Sequence, residues 1–148
     1  MPVRSASAEW RGTLAGGRGR IQFDGFDEAY SFRSRMEDGP GTNPEELIGA
    51  ALAGCFAMAF ALELTQAGSP PRHIEAHAKV SFGPGDGGFA ISGIELSTEA
   101  EVPGIEDQRF QQIAVHAKLN CPVSRALATV AITLAARLRE PGVERRIA

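Results

Sequence analysis

Residues 42–68 read TNPEELIGAALAGCFAMAFALELTQAG, and this stretch decides the fold. Asn43 is placed to cap a helix, Pro44 suits the first helical position, and Glu46, three residues after Asn43, gives a capping-box pattern. Glu45 and Glu46 also complement the positive end of the helix dipole. Gly68 ends the helix and Pro70-Pro71 forbid its continuation. Between these limits Leu47, Ile48, Leu52, Cys55, Phe56, Met58, Ala59, Phe60 and Leu62 are apolar on nearly every side. A helix apolar all round is expected to be buried all round, by a sheet on one face and another layer or subunit on the other.

Outward from this helix the signals are those of strands. On the N-terminal side Ile21 and Phe23 alternate with polar residues, Asp24-Gly25 marks a break, and Tyr30, Phe32 and Met36 share one parity opposite Ser31, Arg33 and Arg35. Two or three short antiparallel strands are expected over about 8–36. On the C-terminal side Ala76, Ala78, Val80 and Phe82 alternate with His77, Lys79 and Ser81, and Gly83 to Gly88 turns the chain. The return strand runs from Phe89 to Val102 with a parity slip at Gly93, which predicts a bulge. Asp107 to Leu119 presents Phe110, Ile113, Ala114 and Ala117 on one helical face, and Asn120-Cys121-Pro122 interrupts it. Val123 to Ala128 restarts briefly, Thr129 to Leu138 alternates as a last strand, and the tail from Glu140 is expected to be loose. The pattern is α+β in a single domain over 1–148: strands, a central helix at about 43–68, then hairpin, helix and strand at about 74–138.

Composition narrows the function classes. The 148 residues are one domain's worth of chain, with 43% hydrophobic and 22% charged residues, values of an ordinary globular protein. A net charge of -3 gives no footprint for nucleic acid. Two cysteines are too few for a secreted disulfide framework. Met1 to Trp10 carries Arg4 and Glu9 without an apolar core, so no signal peptide is expected. The longest uncharged run, Leu47 to Leu62, has 16 residues, short of the roughly 20 that span a bilayer. No membrane insertion and a cytoplasmic location are the expectations.

Cys55 and Cys121 are either two buried thiols acting as small hydrophobes or a reactive pair. A thiol needs electropositive surroundings to ionise near neutral pH, and burial opposes it. Cys121 precedes Pro122 at a helix start, whereas Cys55 lies inside a helix and needs a cation from elsewhere, so local physics ranks Cys121 as the better thiolate. Glu45 lies ten residues before Cys55 on one helix, about 15 Å along its axis. If both serve one site, the glutamate must come from a second helix, most simply that of a symmetric partner. Taken alone, Glu45 reads first as a first-turn acid that complements the helix dipole. Thirteen arginines face two lysines; Arg33 and Arg35 share a strand face, and Arg18 and Arg20 flank Gly19. His73 and His77 enter a strand, where the spacing of four does not build a metal site.

Gly41 to Gly68, followed by VPGIE (Val102 to Glu106) and NCPVSRAL (Asn120 to Leu127), resembles the OsmC/Ohr family of thiol peroxidases. AEW ending at Trp10, FRSR (Phe32 to Arg35) and GFAI (Gly88 to Ile91) extend the resemblance over nearly the whole chain, and GTNPEELIGAA, VPGI and CPVS favour the OsmC branch. The resemblance implies that Cys55 is the peroxidatic cysteine, Cys121 the resolving one, and Glu45 the acid that holds the catalytic arginine. Arg35 matches that arginine, with Arg18 as a rival because GGRGR resembles the segment that supplies it in the Ohr branch. It further implies antiparallel sheets around a long buried helix in an intertwined homodimer, a hydroperoxide substrate and an external thiol reductant of lipoyl type. No metal, haem or flavin is implied. This assignment reverses the local ranking of the two cysteines. Two other readings remain open on the residues: a non-enzymatic dimeric module holding a hydrophobic ligand, and a general disulfide reductase, against which the lack of a Cys-x-x-Cys motif speaks.

Overall fold

The computed structural model describes residues 1–140; the end of the expected tail, 141–148, lies outside them. The chain divides into two compact units, Met1–Leu47 and Ile48–Ala148. In the first, β1 (Ala6–Arg11), β2 (Arg18–Phe23) and β3 (Phe26–Tyr30) form an antiparallel sheet in sequence order. Asp24-Gly25 makes the tight turn, with Gly25 in the left-handed region at φ +77°, a conformation cheap for glycine. Gly19 sits in register between Trp10 and Tyr30, whose rings approach to 5.3 Å; a Cβ on Gly19 would fall 2.5 Å from Tyr30 Cε1 and 2.7 Å from Trp10 Cε3.

The third strand stops at Tyr30, earlier than the alternation predicts. Phe32–Met36 is a short helix, α1, which overturns the expected strand face for Arg33 and Arg35. The cause is local. Ser31 accepts from Ser34 N while Ser34 Oγ accepts from Ser31 N, a reciprocal cap that outweighs five residues of period-two pattern. Thr42 N then donates to Ala29 O, and α2 (Pro44–Gln66) begins. Asn43 Oδ1 accepts from Glu46 N at 2.9 Å, as its capping position predicts, while the Glu46 carboxylate accepts a hydrogen bond from Thr42 Oγ1 and not from the cap backbone.

In the second unit, β4 (His73–Gly85) and β5 (Gly88–Glu101) form the expected hairpin, and β6 (Ile132–Leu138) completes the sheet in the order β4-β5-β6. The register shifts between Ser81 and Phe82, leaving Ser92 as the extra residue beside Gly93, where the parity slip places the bulge. β6 runs parallel to β5, so this sheet is mixed and not purely antiparallel. The reason is the intervening crossover, α3 (Asp107–Asn120) and α4 (Pro122–Ala126), which returns the chain to start again in the same direction. Leu52, Phe56, Phe60 and Leu64, one i, i+4 stripe of α2, are fully buried with Ile94, Leu96, Ala100, Phe110 and Ala117. Rings chain from Phe56 to Phe60 and on to Phe110, each step 5.3 Å. At Gly49 a Cβ would already touch Ala78 and Val80, so the glycine sets how closely α2 approaches β4.

The opposite face of α2 departs from expectation. Ala50, Ala51, Gly54, Met58 and Leu62 are exposed, Met58 at 78%, so within one chain the helix is buried on one side only. Being 23 residues long, α2 also has the length and apolarity to cross a bilayer, which the shorter uncharged run does not; its buried stripe is that of a core helix.

Candidate active site

The first unit holds an ion pair. Arg35, at the end of α1, and Glu45, in the first turn of α2, meet through Nη2–Oε1 at 2.7 Å and through Nε to Oε1 and Oε2 at 3.2 and 3.1 Å. The Glu45 side chain is 9% exposed and that of Arg35 39%, so the acid is sunk and the guanidinium reaches the surface. Such a fork-to-carboxylate contact fixes the plane of the cation. Its footing is a network that the sequence reading passed over: Ser34 Oγ donates to Thr42 O at 2.7 Å and Asn43 Nδ2 to Ser34 O at 2.9 Å, tying α1 to the start of α2. The Ser-x-x-Ser spacing at 31 and 34 was the signal available. Arg18 is exposed on β2, opposite Arg11; Glu45 takes its guanidinium from Arg35.

The second unit brings the two cysteines together. Both are free thiols, Cys55 half-buried on α2 and Cys121 fully buried where α3 gives way to α4. The two thiols lie close enough for each to shift the other's titration. Burial pushes the Cys55 thiol above its ordinary range, and the neighbouring Cys121 adds to this against a weaker pull from the Val123 backbone. Burial also pushes Cys121 upward, but the neighbouring Cys55, Ser124 and Val123 together outweigh it and leave this thiol more acidic than usual.

Other candidates lie elsewhere. His73 Nδ1 accepts from Arg139 Nη2 at 2.7 Å, and His77 is exposed. Among the described residues no cluster of His, Cys, Asp or Glu could hold a metal. A groove of about 520 Å³ is lined by Glu63, Gln66, Arg109, Gln112 and His116, away from both cysteines. Among the described residues two buried side-chain polar atoms lack a hydrogen-bond partner, Ser124 Oγ and Arg139 Nε.

Two free thiols from positions 55 and 121 thus lie beside each other in the second unit. Comparison with known proteins supplies the assignment. Residues 37–135 match the family model described as OsmC-like protein. The chain is 43% identical over 127 residues to Peroxiredoxin OsmC of Escherichia coli, covering 84% of this chain and 89% of that one. It is 34% identical over 89 residues to the organic hydroperoxide resistance protein of Xanthomonas axonopodis, covering 60% and 61%. The crystal structure of an OsmC-like protein from Mycoplasma pneumoniae superposes with a TM-score of 0.72 at 18% identity, covering 94% of this chain and 99% of that one. The chain belongs to the OsmC-like family and is a redox enzyme of the peroxidase class.

Proposed function

We propose that this chain reduces organic hydroperoxides, and inorganic ones as well, through a sulfenic acid on Cys55 and an intramolecular disulfide with Cys121. The observation that carries the reading is the juxtaposition of these two free thiols, positions 55 and 121 brought together by the fold. In the first step the Cys55 sulfur attacks one peroxide oxygen, the O–O bond breaks, and an alcohol or water leaves with a proton. Cys121 then displaces the hydroxyl from Cys55, and an external thiol, of lipoyl type, reduces the disulfide.

Cys55 is the weaker acid of the pair within one chain, so the first step needs a cation. The Arg35–Glu45 pair is suited to supply it: Arg stays charged, and Glu45 fixes the plane of the guanidinium. Ten residues of helix separate Glu45 from Cys55, so the functional unit is a homodimer in which the partner's Arg35 serves Cys55. The exposed apolar face of α2, with Met58 and Leu62, supports the same assembly. Leu, Phe and Met side chains around Cys55 favour alkyl and lipid-like hydroperoxides, and the cytoplasm is the compartment that keeps such thiols reduced. Cys55→Ser should abolish consumption of cumene hydroperoxide, and Cys121→Ser should stop after one turnover with a dimedone-reactive sulfenic acid. Full turnover by the Cys55→Ser protein would falsify the reading.

A further inference from the structure

One buried polar group has no task in this scheme. Ser124 is 8% exposed, and its Oγ is enclosed without a hydrogen-bond partner. A helical serine ordinarily turns its hydroxyl onto the carbonyl four residues back, which this one does not do. An unmade buried hydrogen bond is a cost to the fold, so the hydroxyl's surroundings are informative. Ser124 is the third residue of α4, and Cys121 is the residue that caps it, with Cys121 O accepting from Arg125 N at 3.0 Å. Pro122 at the first position has no N–H, so Val123 and Ser124 present the free donors of that turn. The cap side chain that faces them is a fully buried sulfur where a cap oxygen usually stands.

We propose that the Ser124 hydroxyl is a positioning residue for disulfide formation: it is the donor that turns to the Cys121 sulfur as that sulfur becomes an anion, and holds it for attack on oxidised Cys55. This rests on the peroxidase reading above. The step is balanced as follows. The Cys121 thiolate forms the S–S bond, the S–O bond of the Cys55 sulfenic acid breaks, and the departing hydroxide takes up a proton as water. Cys121 is oxidised and the Cys55 sulfur reduced. A donor kept in place beforehand costs no reorganisation when the charge appears. The same bond makes the sulfur a poorer nucleophile, returning about threefold in intrinsic rate for each tenfold gained in thiolate. The hydroxyl therefore speeds resolution below the titration midpoint of Cys121 and slows it above.

That crossing is the test. Disulfide formation is timed by stopped flow from the sulfenic acid made with one equivalent of cumene hydroperoxide, across pH, in wild type, Ser124→Ala and Ser124→Thr. The Ala protein should resolve about threefold or more slowly at neutral pH, with its midpoint moved upward and its rate meeting or passing wild type at high pH, and Thr should restore the wild-type profile. Slowing by one factor at every pH, or an unmoved midpoint, overturns the proposal. If the wild-type protein forms no sulfenic acid, the peroxidase reading fails by itself. The ultraviolet thiolate absorbance of Cys121 in the Cys55→Ser protein, with and without Ser124→Ala, still decides this one: an upward shift supports it and no shift overturns it. Folding is not expected to confound the Ala protein, because it removes a hydroxyl that has no partner.

Discussion

Glu45→Gln separates an orienting role for the carboxylate from a merely stabilising one. Glu45 receives three contacts from Arg35, between 2.7 and 3.2 Å, and its side chain is 9% exposed. A hydrogen bond to a charged group contributes about 1.5–3 kcal/mol. Arg35 is 39% exposed, so water screens its side of the pair and a net of about 1–1.5 kcal/mol is the reasonable expectation. The glutamine keeps the shape and one acceptor oxygen but loses the charge and the fork-to-fork fit. At about 1.4 kcal/mol per factor of ten, oxidation of Cys55 by cumene hydroperoxide should slow about tenfold. The assay is the bimolecular rate of thiol loss in the reduced protein, read by stopped flow. Because the carboxylate acts through the guanidinium, Arg35→Gln with Glu45→Gln should be no slower than Arg35→Gln alone. A Glu45→Gln rate within twofold of wild type, or additive losses in the double variant, would refute the orienting role.

The remaining predictions follow from the same geometry. Phe60 is fully buried between Phe56 and Phe110, so Phe60→Ala should cost about 3–5 kcal/mol in urea denaturation. Gly19→Ala pushes a methyl against Trp10 and Tyr30 and should destabilise the first sheet by about 1–3 kcal/mol, read as a loss of the Trp10 fluorescence signal at lower denaturant. On raising pH, thiolate absorbance should appear in two phases, the first below and the second above the ordinary thiol range, because Cys121 is acidified and Cys55 is not. Cys121→Ala should leave one phase, moved downward from the upper one because the neighbour that raises Cys55 is gone; an unmoved single phase would contradict the coupling of the two thiols.

What the sequence made legible is what local chemistry dictates. The ends of α2 were readable because Asn43 caps it and Gly68, at φ +87°, closes it: Gly68 N bonds to Thr65 O and Ser69 N to Leu64 O. The bulge was readable because a glycine broke the parity of β5. Strand direction was not, since alternation is the same for parallel and antiparallel neighbours, and β6 pairs parallel only because α3 and α4 carry the chain back. Residues 32–36 misled because Phe32 and Met36 fit both a strand of period two and a turn of helix; the Ser31 and Ser34 hydroxyls decided it. The exposed face of α2 is a case of a different kind. Its apolar residues are those of a buried surface, yet one chain supplies cover for only half of them.

The site divides in the same way. The Arg35–Glu45 contact follows from two elements close in sequence, α1 and the start of α2. The meeting of Cys55 with Cys121 has no signal in spacing, because it depends on α3 folding back beneath α2, and it entered through family resemblance. Ser124 went unremarked because a serine in a first helical turn is ordinary; its enclosure without a partner is visible only in three dimensions.

The central claim concerns two sulfurs and one oxidant, and peptide mapping after a single equivalent of cumene hydroperoxide addresses it directly. The account predicts stoichiometric loss of both thiols and a disulfide-linked pair of peptides containing Cys55 and Cys121, absent when Cys55 is serine. Two intact thiols after the peroxide has been consumed, or consumption unchanged without Cys55, would contradict it.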